Sequence, residues 1–483
     1  MHHRMASDGM RIVRQKWRAL GTLAVIGLAA AMEAADAPRP NVLFFMSDDH
    51  AAHSIGAYGS RVGRTPNIDR LARDGALFEN CFCVNSICVP SRACVLTGVY
   101  SHANGVRTNA DPLPRGAVTF PRLLRGAGYT TAIIGKWHLQ TEPEGFDHWS
   151  VLPGQGAYFD PAIIEDGARQ KCEGYVSEVI TSKALAWLKS RDRGRPFCLL
   201  VQHKAPHANW EVGPAQAALF EGEVIPEPEN LRDDLAGRSE AVRSHRLFVG
   251  RPQWELHFKK RFGDIPADVP EADVRGWVYQ RYIRDYLRCA ASVDAGVGQI
   301  LDYLESEGLA ERTLVIYSSD QGFFLGEHGL YDKRLMYEES IRMPLIVRWP
   351  GVTRPGMRIG AMALNVDLAP TLIDVGGAEA PGGLHGRSLA PLLRGEVPRD
   401  WRTSFYYRFY EDAYGIGPIE GVRTMAHKLI RYGFGDRGAE LYDLRNDPRE
   451  MRNLISDPAV AAVSVAMSKE LARLRGQLGA PGL

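Results

Sequence analysis

The chain has 483 residues, 45% of them apolar, and a formal net charge of +1. That length and apolar content allow one large core plus a smaller one. The near-zero charge gives no reason to expect nucleic acid or a membrane surface as partner, so any anion must be bound by a local arrangement of residues.

At the N-terminus, Arg11, Arg14, Lys16 and Arg18 precede an apolar run over 19–32 and a small-residue stretch ending Ala34-Ala35-Asp36-Ala37. This is the pattern of an export signal. The run is about 14 residues long, short of the roughly 20 needed to span a bilayer. Residues 1–37 are therefore read as a signal peptide. No stable membrane insertion is expected, and the mature protein is expected to be periplasmic or secreted. Seven cysteines in an exported chain permit disulfides, but the odd number leaves at least one thiol unpaired or chemically used. Cys88 is the candidate for that thiol, whereas Cys198 and Cys289 read as core-filling residues.

Further along, apolar runs at 42–46, 131–134, 197–202, 314–317 and 345–347 predict buried parallel strands. Helical periodicity lies between them at 68–74, 120–125, 177–189 and 282–305. The alternation predicts an α/β fold, a large mixed and mostly parallel sheet sandwiched by helices. Residues 210–276, rich in Pro, Gly and charge, read as an excursion that shapes a pocket. From 376 onward, short strand-like runs at 403–410, 421–424, 428–432 and 439–443 precede a helical stretch at 458–477. These predict a smaller antiparallel sheet packed by a terminal helix, and divide the chain into domains at 38–375 and 376–483.

Polar chemistry follows the strands. Asp48-Asp49 come after the first run, Lys136-Trp137-His138 end the second, His203 and His207 follow the third, and Asp320-Gln321 follow the fourth. Ligands of open α/β sheets bind at the carboxyl ends of the strands, so these groups should converge. Asp48, Asp49, Asp320 and the amide oxygen of Gln321 make an all-oxygen set suited to a hard cation such as Ca²⁺ or Mg²⁺. Adjacent carboxylates also commonly cap helices, and the Asp48-Asp49 pair alone does not choose between those roles. Cys88 precedes a helix start with Pro90 in its first turn, where backbone N–H groups and the Arg92 fork would face an anion. An ordinary buried thiol would have the same spacing.

The pentapeptide Cys88-Val89-Pro90-Ser91-Arg92 completes a larger pattern. With Asn41 to Asp49, Thr65-Pro66-Asn67-Ile68-Asp69, Gly135-Lys136-Trp137-His138 and Asp320-Gln321-Gly322, it resembles the type I sulfatases of the alkaline phosphatase superfamily, over essentially all of the chain after residue 37. The segment 322–343, with Glu327-His328-Gly329 and Asp332-Lys333-Arg334, is similar to carbohydrate sulfatases. The resemblance implies that Cys88 is converted by a maturation enzyme to formylglycine, whose hydrated aldehyde attacks sulfur, and that 38–375 is the catalytic domain. It implies a divalent cation, calcium or magnesium, held by Asp48, Asp49, Asp320 and Gln321 beside residue 88. Arg92 would hold the formylglycine, and Lys136 and Lys333 the sulfate oxygens. His138 would take a proton from the formylglycine, and His207 would protonate the leaving alcohol, with His203 in reserve. Many relatives carry Asn or His at the position of Gln321. His50, His53 and His328 are expected around the pocket.

The expected activity is sulfate ester hydrolysis on a sulfated saccharide. A phosphonate or phosphate ester hydrolase is the alternative, and a glycan-binding relative with unmodified Cys88 is a third reading. Arg342, Trp210 and Tyr158 are possible sugar contacts.

Overall fold

The computed structural model describes residues 39–433 and 438–483, so the expected signal peptide at 1–37 lies outside the described residues. The ten-stranded sheet is built from β1 (Asn41–Ser47), β2 (Ala76–Phe78), β3 (Thr130–Lys136), β4 (His148–Leu152), β5 (Ala162–Glu165), β6 (Ala168–Lys171), β7 (Phe197–Gln202), β8 (Thr313–Ser319), β9 (Leu345–Arg348) and β10 (Met357–Ile359). Their spatial order is β10-β2-β9-β8-β1-β7-β3-β4-β5-β6. The central five, β8-β1-β7-β3-β4, run parallel. β1 and β7 are apolar and buried almost throughout, as strands covered on both faces must be.

The run at 345–347 forms a strand, but it pairs antiparallel with β8 and β2. The expected parallel direction is thus corrected. The chain from the end of β8 returns to that sheet edge from the carboxyl side, so β9 runs back along its neighbour.

Two sets of helices cover the sheet. In one, α5 (Val274–Ser306) packs against α4 (Val176–Ser190) and α1 (Pro66–Arg73); in the other, α6 (Leu368–Val375) packs against α2 (Cys88–Thr97) and α3 (Phe120–Gly126). Buried positions along α5, including Val278, Tyr282, Tyr286, Cys289, Val293, Val297, Ile300 and Leu304, recur at three- and four-residue spacing. Asp294 of α5 accepts hydrogen bonds from the backbone N–H of Asn67 (3.0 Å) and Ile68 (2.8 Å), tying down the start of α1. Asp69 accepts from the Ala57 N–H at 2.7 Å. The Thr65 to Asp69 motif is therefore structural here, a carboxylate-anchored helix start.

The C-terminal strands β11 (Ser404–Phe409), β12 (Ile419–Thr424), β13 (His427–Tyr432) and β14 (Ala439–Asp443) form an antiparallel meander, on which α7 (Ala461–Gln477) packs. Residues Asn41–Leu483 make one compact unit. Glu440 helps to hold it together, accepting from the hydroxyls of Tyr337 (2.8 Å), Tyr442 (3.0 Å) and Tyr432 (3.1 Å) and from the Ser239 N–H (2.7 Å). The excursion 210–276 carries short helical turns at Glu240–Ser244, Arg251–Gln253 and Lys259–Phe262, and a π-helical turn at Trp254–Phe258. All seven cysteines are free thiols, and Cys198 and Cys289 are buried as expected.

Candidate active site

Strand register brings the acidic groups together. Ser47 of β1 lies opposite Ser319 of β8, so Asp48-Asp49 and Asp320-Gln321 leave two neighbouring strands side by side. Asp48, Asp49 and Asp320 are 0–1% exposed. One oxygen from each lies within 4.8 Å of the others, and Cys88 and His207 share the same separation with Asp48.

Three cations are built into this cluster. Lys136 pairs with Asp48 Oδ2, and Lys333 Nζ lies 2.6 and 2.7 Å from the two oxygens of Asp49. Arg92 donates to Asp320 Oδ2 through Nε (3.1 Å) and Nη2 (3.0 Å), and through Nη1 to Gln202 Oε1 (2.7 Å) and the Lys136 carbonyl (3.0 Å). Its fork therefore braces Asp320, while Nη2 lies 3.8 Å from Asp48 Oδ1. Burial works against ionisation of Asp48, but Lys136, His207 and Arg92 hold its carboxyl well below the usual range. For Asp49 and Asp320 burial prevails, pushing them up to about 6 and about 7.

The oxygen cluster fits a hard cation. Each carboxylate would be relieved by a positive charge, and the Gln321 amide turns Nε2 toward Asp49 Oδ1 (2.5 Å), while its buried Oε1 has no hydrogen-bond partner. An all-oxygen set at this spacing matches calcium or magnesium better than zinc.

Cys88 opens α2, whose ten residues are all buried. Its Sγ lies 3.4 Å from Asp48 Oδ1 and 3.8 Å from Gln321 Nε2. Burial, reinforced by the Asp48 carboxylate, pushes the thiol well above its ordinary value. A thiolate is disfavoured there, which makes residue 88 a poor nucleophile as plain cysteine.

The histidines separate clearly. His207 lines the cavity, with Nδ1 donating to the Ala208 carbonyl at 2.7 Å and Nε2 3.9 Å from Asp49 Oδ2. Burial, helped by Lys136 and Lys333, pushes it well below its ordinary value. His138 stands at positive φ (61°) just after β3, and burial beside Lys136 pushes it down to about 2. Gly135 is required there, because its φ is 108° and a Cβ would fall 1.9 Å from the Gln202 carbonyl oxygen. His203 is fully buried beneath the site with neither ring nitrogen bonded. His50 bonds Tyr317, His53 faces Glu327, and His328 bonds Asp233, and none of the three lines the cavity.

The cavity above the cluster measures about 190 Å³ and is lined by Asp49, Cys88, His207 and Lys333 together with groups from remote loops. Asn109, Gln155, His257, Asp332, Arg334 and Tyr414 were not among the expected site residues. Only Asp332 and Arg334 carried a signal, flanking Lys333 in sequence. Asp49, Asp332, Arg334 and Tyr414 all hold positive φ, at 68°, 79°, 86° and 58°, concentrating backbone strain on the cavity wall. Of the possible sugar contacts, Arg342 is turned away toward the Glu79 carbonyl and Tyr158 donates to the His207 carbonyl at 2.5 Å. The Trp210 ring is fully buried among Tyr282, His257 and Phe258.

The chain is similar to known proteins. A family model described as Sulfatase matches residues 40–378, and one described as N-sulphoglucosamine sulphohydrolase, C-terminal, matches residues 326–477. The chain is 41% identical over 478 residues to an N-acetylglucosamine-6-O-sulfatase of Bacteroides thetaiotaomicron, covering 89% of this chain and 86% of that one. It superposes with a TM-score of 0.87, at 39% identity, on a structure solved with its substrate D-glucosamine-2-N,6-O-disulfate, covering 91% of this chain and 98% of the other. A phosphonate monoester hydrolase of Agrobacterium radiobacter shares the fold, with a TM-score of 0.74 at 23% identity over 91% of this chain and 96% of the other.

Proposed function

The chain belongs to the sulfatase family and hydrolyses sulfate esters, and from that premise we propose that it removes the 6-O-sulfate of a glucosamine-type sugar. The observation that carries this reading is the 41% identity to an N-acetylglucosamine-6-O-sulfatase. The phosphonate alternative rests on a likeness of fold alone.

In this reading Cys88 becomes formylglycine through a maturation enzyme, and the buried, protonated character of the bare thiol supports a need for conversion. Formylglycine supplies, once hydrated, a geminal diol of which one hydroxyl attacks sulfur and the other later expels sulfate. Asp48, Asp49, Asp320 and Gln321 hold a calcium or magnesium ion, whose chemistry is to polarise sulfate oxygens and favour ionisation of the diol. Arg92 fixes Asp320 and offers positive charge beside residue 88. Lys136 and Lys333 bind sulfate oxygens and stabilise the charge that grows there. His138 takes a proton from residue 88 as sulfate departs.

His207 donates the proton to the leaving sugar oxygen. Its Nδ1 hydrogen is committed to the Ala208 carbonyl, which leaves Nε2 to face the cavity. An arriving sulfate ester brings the negative charge that raises this imidazole toward its working range. Residues 1–37 serve as an export signal to the periplasm or beyond. Among the described residues no helix is long and apolar enough to cross a membrane.

The first experiment is sulfate release from N-acetylglucosamine 6-sulfate, its 3-sulfate isomer, and matched 4-nitrophenyl sulfate and phosphate. The 6-sulfate should be preferred among the sugars and the sulfate among the aryl esters. Turnover of the aryl sulfate with none of the 6-O-sulfated sugar would remove the substrate assignment. His207→Ala should lower kcat on the sugar by about 10²–10⁴-fold, yet cost the aryl ester, whose leaving group needs no proton, about tenfold or less. Equal losses on both would assign the acid elsewhere.

A further inference from the structure

His257 projects from the π-helical turn Trp254–Phe258, a rare conformation that recurs at functional sites. It comes from the excursion 210–276, yet it lines the same cavity as Cys88, His207 and Lys333. The sulfate chemistry described above leaves it without a task.

Its ring is held on several sides. Nδ1 lies 2.7 Å from Asn209 Oδ1, an atom that can only accept, so Nδ1 carries the hydrogen and Nε2 carries the lone pair. Trp210 meets the ring edge-on at 5.1 Å and Tyr331 at 5.5 Å. Arg261, one turn further along, donates to the carbonyls of Asn209 (2.7 Å) and Trp210 (3.2 Å), pinning the loop that bears Asn209 to the turn that bears His257. Burial keeps the imidazole neutral, pushing it down to about 4. What remains is one fixed acceptor at the cavity wall.

An acceptor is unsuited to a sulfate oxygen, which is itself an acceptor, and suited to an O–H or N–H donor. Building on the sugar reading above, we propose that His257 is a specificity-determining residue whose Nε2 accepts a hydrogen bond from a hydroxyl or N–H of the sugar ring bearing the sulfate. It distinguishes a saccharide from a bare sulfate ester and takes no part in cleaving the S–O bond. A site built to hydrogen-bond a substrate donor discriminates against an analogue that lacks it, because the acceptor is then left unpaired.

The test is steady-state kinetics of wild type, His257→Ala and His257→Gln on N-acetylglucosamine 6-sulfate and on 4-nitrophenyl sulfate, with thermal unfolding as a check on folding. His257→Ala should lower kcat/KM on the sugar by about tenfold or more, mainly through KM, the effect of one net hydrogen bond. It should change the aryl ester by less than about twofold. His257→Gln, which keeps an acceptor, should recover part of the loss. Equal losses on both substrates, or none on the sugar, would overturn the assignment while leaving the sugar reading intact. A wild type that cleaves the aryl ester but no sugar sulfate would remove the sugar reading itself, and this inference with it.

Discussion

Cys88→Ala is expected to abolish sulfate release, by about 10⁵-fold or more, the scale of loss when a covalent nucleophile is deleted. The fold should survive. The Sγ atom makes only long contacts, 3.4 Å to Asp48 and 3.8 Å to Gln321, whereas α2 is held by Ser91 bonding the Asp320 carbonyl and by the Arg92 fork on the Asp320 carboxylate. Thermal unfolding of the variant should therefore stay within a few degrees of wild type. Cys88→Ser should also fail, because a serine ester of sulfuric acid lacks the second hydroxyl that would expel sulfate. Release of sulfate by Cys88→Ala above about 1% of wild type would mean that residue 88 is not the nucleophile.

Chelation should have the second largest effect. Removing the divalent cation from Asp48, Asp49, Asp320 and Gln321 is expected to lower kcat by about 10³-fold, the scale of several kcal/mol of charge stabilisation, with recovery on adding Ca²⁺. The stability of the chelated protein should also respond to calcium in a pH-dependent way. Burial raises Asp49 and Asp320 from the ordinary 3.8 to about 6 and about 7. At these two carboxyls the folded state binds more protons than the unfolded state between pH 4 and 7, so their own contribution to stability falls as pH rises, opposite in sign to that of the depressed His138, His207 and His257. Calcium, which binds the ionised carboxylates, should therefore raise the midpoint of unfolding of the chelated protein more at pH 8 than at pH 5. A calcium-induced rise no larger at pH 8 than at pH 5, or activity indifferent to chelation, would remove the metal assignment.

Much of the site was legible because parallel strands buried on both faces are continuous apolar runs, and the residue after each run is placed by topology alone. Asp48, Lys136, His207 and Asp320 were found in that way. Strand direction was not, since three apolar residues at 345–347 look alike read either way. β2 and β10, three residues each, are too short to show a period. The β5–β6 hairpin did carry a signal, Asp166-Gly167, both at positive φ (45° and 90°), the dipeptide favoured in two-residue hairpin turns. The cavity wall was opaque for a different reason. Asn109, Gln155 and Tyr414 stand on separate loops and His257 on a π-helical turn, with no fixed spacing, brought together only by the packing of the excursion and the C-terminal sheet around the strands. Arg92 was recognised, but its spacing gave no hint that its fork would be spent on Asp320.

The pairing of β1 with β8 sets a clock for biosynthesis. Asp48 and Asp320 are joined by a strand register that spans roughly 270 residues, and Ser91 is anchored to the Asp320 carbonyl. On a ribosome adding about 5–20 residues each second, the segment holding Cys88 emerges some tens of seconds before β8 exists to cover it. Throughout that interval neither the β1–β8 register nor the anchor of Ser91 on Asp320 can form. Once β8 docks, Cys88 is 1% exposed. For the conversion proposed here, the order of synthesis is thus part of the design: Asp320 and Gln321, which complete the set begun by Asp48 and Asp49, arrive last, and their arrival closes the door on the modification of residue 88.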